Sequence, residues 1–331
     1  MTLENRIVLF LKLGNFLRNE TSKETLKEWG YRARNGNGWF TEDNVALAID
    51  NIAKAFLTED ALRQFSSTIT PTEAKSVGLI CAGNIPLVGF HDLLCVLLAG
   101  HKALLKLSSS DSVLMKFIIA KLIELEPEIN GFIEIAERLN SADAFIATGS
   151  DNSSRYFEYY FKNKPSIIRK NRSSVAVFTG NESTLELRNL GNDIFRYFGL
   201  GCRNISKVFV PKGYKFDTFF ESIEYWNTIS IHHKYVNNYD YNKSIYLING
   251  NHHYDNGFLL VTQNDGLVSP LTVLFYQEYS DKKDLEEMIL NHKEKLQCIV
   301  GSDHTPFGQS QTPKIDEFAD NVNTLDFLAG L

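Results

Sequence analysis

The stretch Ser76-Val-Gly-Leu-Ile-Cys-Ala-Gly83 limits what this chain can fold into more than any other. It is short, apolar on both faces of an extended backbone, and bounded by polar residues and glycine, so it predicts a buried strand of a parallel sheet. Asn84-Ile-Pro86 breaks it, and the apolar segment from Leu87 to Leu98, stopped by Ala99-Gly100, has the length of a buried helix. The alternation then repeats. Lys102 to Leu107 reads as a second strand, Ser108-Ser-Ser-Asp-Ser112 as the cap of a helix from Val113 to Glu124, Gly131 to Ile135 as a third strand, and Ala144 to Thr148 as a fourth. Strands alternating with helices pair in parallel, so this region predicts a doubly wound α/β sheet.

Residues 1 to about 65 read as a helical lead-in, with Thr41 capping a helix whose Val45, Leu47, Ala48, Ile52 and Phe56 recur at helical spacing. Downstream, Ser166 to Phe178 reads as a basic loop and then a strand. Leu185 to Phe198 is a helix that delivers Cys202, and Lys207 to Pro211 is the strand that leaves it. Phe216 to Trp226 is helical. Ser244 to Asn249, Gly257 to Thr262, Thr272 to Tyr276 and Leu296 to Val300 read as strands, with a charged helix from Asp281 to Lys295. These elements divide the chain into a lead-in with a dinucleotide-type domain (1–182), a domain holding the cysteine (183–305) and a C-terminal segment that returns to the core (306–331).

With 331 residues, 44% of them hydrophobic, the chain can build two sizeable cores. A formal charge of -6, with no basic run interleaved with aromatics, argues against a nucleic-acid partner. The four cysteines, Cys81, Cys95, Cys202 and Cys298, form no CxxC pair, which fits a reducing compartment, expected to be the cytoplasm, and neither a zinc ribbon nor a disulfide framework. Glu4, Arg6 and Lys12 interrupt the apolar residues at the N-terminus, so that segment reads as an amphipathic helix and not a signal peptide. The apolar run from Leu93 to Gly100 is too short to span a bilayer.

Two places offer chemistry. In Gly199-Leu-Gly-Cys202 the glycines allow a sharp turn and leave the sulfur open, as a nucleophile requires. A buried structural cysteine after a glycine cap satisfies the same pattern. Gly149-Ser150 lies where the fourth strand meets a helix, a junction at which N–H groups and the helix dipole favour a phosphate, although Ser150 equally serves as a helix cap. The run Arg169, Lys170, Arg172 fits either a phosphate contact or a solvated loop. His232-His233 and His252-His253 make poor metal sites, because neighbours on an extended segment face opposite ways. They suit a solvent-facing or proton-shuttling role better. Cys81, Cys95 and Cys298 sit in apolar runs and read as inert core thiols.

Taken in order, Asn84 with Pro86, the helix ending at Ala99-Gly100, Lys106-Leu-Ser-Ser109, Thr148-Gly-Ser150, Phe198-Gly-Leu-Gly-Cys-Arg-Asn204 and Pro306-Phe-Gly-Gln-Ser-Gln-Thr-Pro313 resemble the aldehyde dehydrogenase superfamily. Within it the chain is most similar to the fatty acyl-CoA reductases of bacterial luminescence operons (LuxC-like). The resemblance covers residue 75 to the end. It implies that Cys202 is the nucleophile and that Asn84, with the cysteine N–H, forms an oxyanion hole. It also implies that Lys106, Ser108, Ser109, Thr148, Gly149 and Ser150 hold a dinucleotide, NADPH with NADH as an alternative.

Departures from the family pattern carry information. Ile168 stands where hydrolytic relatives place a water-activating glutamate, which implies that an acyl group on Cys202 passes to hydride or coenzyme A and not to water. Ser109 replaces the acid that excludes a 2'-phosphate, permitting NADP(H). Leu267-Val-Ser-Pro270 lacks the glutamate that holds the nicotinamide ribose in many relatives, and the short chain leaves homo-oligomerisation open. The expected function is therefore reduction of an acyl-CoA thioester to an aldehyde. An acyl-phosphate reductase, an acyl-cysteine transferase and a non-catalytic binding protein are the alternatives.

Overall fold

The computed structural model describes residues 1–331, Asp151 by its backbone alone, and the chain divides into two compact units, 1–171 with 313–331, and 172–312. The boundary falls before the strand at 173–177 and not at 182, because that strand pairs within the second unit. The C-terminal segment is likewise divided, 306–312 going with the second unit and 313–331 with the first.

The first unit is built on β1 (Ser76–Ile80), β2 (Lys102–Lys106), β3 (Ile133–Ile135), β4 (Ala144–Thr148) and β5 (Ser166–Arg169), all parallel in the order β3-β2-β1-β4-β5. This is the doubly wound sheet expected from the alternation. Gly78 in β1 has a packing reason, since a Cβ there would come within 2.7 Å of the Phe145 ring of β4. The lead-in forms α1 (Leu3–Asn15), α2 (Lys23–Gly36), α3 (Glu42–Asn51) and α4 (Glu59–Ser66), and each opens with a hydroxyl cap, from Thr2, Ser22, Thr41 and Thr58, that accepts a backbone N–H. Then come α5 (Phe90–Ala99), buried almost throughout and stopped by left-handed Gly100 (φ 92°), α6 (Ser112–Leu125) and α7 (Asp151–Phe161). The last helix, Thr324–Ala329, puts Leu325 and Leu328 into the same core as α5.

The second unit holds β6 (Ser173–Val177), β7 (Ile205–Pro211), β8 (Tyr254–Asp255), β9 (Leu260–Gln263), β10 (Val273–Tyr279) and β11 (Leu296–Val300), in the order β11-β6-β7-β10-β9-β8, parallel except for β8. Its helices are α8 (Thr184–Phe195), α9 (Asp217–Ile223), α10 (His233–Ile248) and α11 (Lys282–Leu290). Two expectations fail. Ser244 to Asn249 is not a strand but the end of α10, a helix whose buried positions Tyr235, Tyr239 and Asn242 keep helical spacing upstream of the β-branched residues. Ser166 to Arg169 is not loop but the edge strand β5, with Ile167 and Arg169 turned inward.

Candidate active site

Cys202 lies in the second unit, half-buried in the turn between α8 and β7. The approach is strained: Tyr197 (φ 53°), Phe198 (φ 57°) and Gly199 (φ 80°) are consecutive left-handed residues. For a side chain with a Cβ this costs roughly 1–2 kcal/mol per residue. Packing holds it in place. Tyr197 and Phe198 are buried, and the Phe198 ring lies 4.2 Å from His232 and 6.2 Å from Tyr235, centroid to centroid.

Asn204 does the rest. Its buried amide Nδ2 donates to the carbonyls of Asp193 (3.0 Å), Ile194 (3.2 Å) and Arg196 (2.9 Å), which the end of α8 would otherwise leave unsatisfied. Its Oδ1 accepts from the Gly201 N–H at 2.8 Å, and its own N–H donates to the Gly201 carbonyl at 3.0 Å. Ser174 of β6 holds the next residue: its hydroxyl donates to the Cys202 carbonyl at 3.0 Å and accepts from the Cys298 N–H of β11 at 3.1 Å. The cysteine backbone is thus pinned to a helix end and two strands, the preorganisation a nucleophile needs. The Pro306–Pro313 motif joins the same framework, because the buried carboxylate of Asp193 accepts from the N–H groups of Gly308 (2.6 Å) and Ser310 (2.9 Å). Burial pushes the Asp193 carboxyl up from the usual range, against these bonds.

The other expected site residues lie in the first unit and share one edge of its sheet. Ile80 of β1 sits opposite Lys106 of β2 and Ala147 of β4, so Asn84, Lys106 with Ser108 and Ser109, and Thr148-Gly149-Ser150 all follow the carboxyl ends of three adjacent strands. The strand order diverges between β1 and β4, and ligands of open α/β sheets bind in the crevice at such a switch point. Lys106, Ser109 and Asn84 are exposed there. Gly149 must be glycine, since a Cβ would come within 2.9 Å of both Ser153 and Phe157. The serine hydroxyls act as caps: Ser150 accepts from the Ser153 N–H at 3.3 Å and Ser108 from the Ser110 N–H at 3.2 Å. What remains for an anion is the first-turn amide dipole of α7.

The loop carrying Asn84 is packed tightly. A Cβ on Gly83 would meet Ser108 Oγ at 2.4 Å, Asn37 Nδ2 donates to the Gly83 carbonyl at 3.3 Å, and Leu87 is left-handed at φ 58°. Asp111, buried, accepts from the Leu87 N–H at 2.7 Å and also from Val88.

Arg169 is not part of a solvated or phosphate-binding loop. It is buried, paired with Asp92 and donating to Thr324 Oγ1 at 3.0 Å. Among the described residues no group of three His, Cys, Asp or Glu could hold a metal. His232 caps and His233 opens α10 with stacked rings 5.3 Å apart, a helix start and not an extended segment, while His253 Nδ1 lies 2.8 Å from the Asn251 carbonyl. Burial pushes the Cys81 thiol up to about 12 and the Cys95 thiol well above its ordinary value, as expected of core thiols.

The sequence model of the family described as acyl-CoA reductase (LuxC) matches residues 54–219, half of the chain, from the end of the lead-in past the Cys202 turn. The chain belongs to the acyl-CoA reductase (LuxC) family. Curated proteins return no match to the sequence. Solved structures of similar fold include aldehyde dehydrogenases. Aldehyde dehydrogenase 21 from Physcomitrella patens, in complex with succinate, is 12% identical with a TM-score of 0.70, over 100% of this chain and 84% of that one. Indole-3-acetaldehyde dehydrogenase from P. syringae, in complex with NAD+, is 13% identical with a TM-score of 0.66, over 87% of this chain and 70% of that one. The NADP-dependent glyceraldehyde-3-phosphate dehydrogenase of Bacillus halodurans, complexed with NADP, is 11% identical with a TM-score of 0.63, over 91% of this chain and 74% of that one. At such identities the likeness is one of fold, and family and fold together are those of aldehyde-linked oxidoreductases.

In this LuxC-family chain the residues that could hold a dinucleotide are those at the switch point. They include Gly149, where a Cβ would come within 2.9 Å of Ser153 and Phe157, and exposed Lys106 at the neighbouring strand end, with no carboxylate from Lys106 to Ser110. Among the described residues no helix is long and apolar enough to cross a membrane. The residues that hold the turns, Asn204, Ser174, Asp193 and Asp111, were missed by sequence reasoning. An amide two residues after the cysteine and a lone acid among the serines of 108–112 were the signals available.

Proposed function

We propose that this chain is an NADP(H)-dependent acyl-CoA reductase that forms an acyl-enzyme on Cys202. The supporting observation is the turn at 197–204, where backbone strain and the Asn204 and Ser174 hydrogen bonds are spent on fixing one cysteine. The Cys202 thiolate attacks the thioester carbonyl, forming a C–S bond and an oxyanion. Asn84 donates its amide to that oxyanion, a kind of contact whose removal costs about 10²- to 10³-fold in rate. Collapse breaks the bond to coenzyme A, which leaves as a thiolate and takes up a proton. Lys106, Ser108, Ser109 and Thr148 to Ser150 hold the dinucleotide, with Ser109 leaving room for a 2'-phosphate. When bound, NADPH supplies the hydride that reduces the acyl-cysteine. Cys202 then leaves the resulting thiohemiacetal as thiolate, releasing aldehyde. Ile168, a strand residue of β5, offers no base to activate water, so the acyl group is kept for reduction or exchange. Four free thiols suit a reducing cytoplasm.

Incubation with acyl-CoA and NADPH tests this. The expected result is NADPH consumption together with an acyl adduct on Cys202 by mass spectrometry, both lost in Cys202→Ala. Absence of both from the wild-type protein would overturn the proposal.

A further inference from the structure

We propose that Asp111 is a positioning residue that holds the Asn84 loop in its working shape, an inference that rests on reading Asn84 as the oxyanion donor. Asp111 occupies the N-cap of α6, where an aspartate ordinarily accepts from its own helix's first turn. It makes no such bond. Its carboxyl instead reaches the neighbouring loop, taking the N–H of Leu87 at 2.7 Å and that of Val88. Those two N–H groups follow Pro86 and precede α5, at the point where Leu87 takes a left-handed conformation at φ 58°. A leucine stays there only where its surroundings over-determine it.

The arrangement is costly. Asp111 is buried, and its Oδ1 has no partner among the described residues. A carboxyl buried with one oxygen unmet, serving another loop and not its own helix, is a group retained for what it positions. Only Ile85 and Pro86 separate Leu87 from Asn84. Pro86 between them has a fixed φ, so a shift at Leu87 passes directly to Asn84. The opposite wall is closed by Ser108 and Ser110, which stand within 3.0 Å of a Cβ on Gly83. Asp111 belongs to the same serine loop, which makes the Asn84 loop and the dinucleotide-binding serines one packed unit in the first domain.

The experiment is a double-mutant cycle on the full chain: Asn84→Ala, Asp111→Ala and the two combined, with Asp111→Asn as the conservative variant and thermal melting as the check on folding. Steady-state kcat and KM for acyl-CoA are measured at saturating NADPH. Asn84→Ala should lower kcat about 10²-fold. Asp111→Ala should lower kcat about 10-fold while KM for acyl-CoA changes less than about 3-fold, because the contact acts on the transition state. Asp111→Asn, which keeps an acceptor oxygen, should restore kcat. Combining the two alanines should cost no more than Asn84→Ala alone, since Asp111 then has no donor left to position. If Asp111→Ala does not fold, Asp111→Leu removes the acceptor at similar volume and replaces it in the cycle. Normal kcat in Asn84→Ala would remove the oxyanion reading itself. A slow Asn84→Ala beside a normal Asp111→Ala, or a double variant whose loss is the product of the two single losses, would overturn the role of Asp111 and leave Asn84 standing.

Discussion

At the residue scale, the atoms that fix the site are buried polar groups whose partners lie elsewhere in the fold. Cys202 stood out from the two glycines before it, whereas Asn84 was named only through the family resemblance. Asn204 could not, because a side chain that satisfies three helix carbonyls and one N–H is recognised only once the helix end and the turn are seen together. Asn204→Ala should cost roughly 3 kcal/mol, since several buried groups lose a partner at once. Asn204→Asp should be at least as damaging at neutral pH, because a carboxylate would face three carbonyl oxygens. Urea unfolding checks both, and wild-type stability in the aspartate variant would contradict the hub. Asp111 gives a pH signature. Burial pushes its carboxyl up to about 8, against an ordinary value of about 4. The folded state therefore binds the proton more tightly than the unfolded one. Its contribution is fully present below about pH 4 and is lost as pH rises towards 8. Asp111→Asn removes this loss, so its stability relative to wild type should grow from pH 5 to pH 9. Parallel pH profiles for the two proteins would refute the assignment.

At the element scale, the first sheet was legible because β1, β2 and β4 are short runs with apolar interiors followed by a glycine or serine signal, and Gly131 marks the approach to β3. Element types were lost where a local run and the surrounding packing disagreed. Ser244 to Asn249 has strand-like residues, yet it continues a helical stripe that begins at Tyr235. The turn before Cys202 shows the opposite case. Gly199 signalled a bend, but nothing local requires Tyr197 and Phe198 to be left-handed as well; both are buried, and the Phe198 ring packs against His232 and Tyr235. Gly199→Ala separates space from backbone strain. The nearest atom to a new Cβ would be the Ile194 carbonyl oxygen at 3.5 Å, ordinary contact, so sterics alone predict no effect. The φ of 80° predicts a loss of about 1 kcal/mol and, on the proposed function, slower acylation of Cys202, because the added strain falls on the turn that carries it. Chemical denaturation and the acylation rate of the variant measure both, and unchanged values would mean the turn is less constrained than its geometry indicates.

At the scale of the whole molecule, the chain leaves the first unit after residue 171 and returns to it at 313, so the first unit is closed by a segment remote in sequence. Two apolar side chains of the last helix, Leu325 and Leu328, enter its core, and one polar lock joins them: Arg169 at the end of β5, paired with Asp92 of α5 and donating to Thr324. Sequence reading placed Arg169 in a basic loop because it stands in a run with Lys170 and Arg172, and such a run normally faces water. The deciding partners, 77 and 155 residues away, are invisible to local pattern. Removing one member of a buried pair leaves the other uncompensated, typically about 3–5 kcal/mol, whereas replacing both with apolar residues is often neutral. Arg169→Met should therefore destabilise the first unit strongly, and Asp92→Leu combined with Arg169→Met should recover most of the loss. The two units can unfold in separate steps, so the probe must be specific. Trp29 and Trp39 lie in the first unit and Trp226 in the second, so tryptophan fluorescence in a Trp226→Phe background follows the first unit alone. A double variant no more stable than Arg169→Met in that background would mean that the lock contributes through the Thr324 contact and the return of the C-terminal segment, and not through the ion pair.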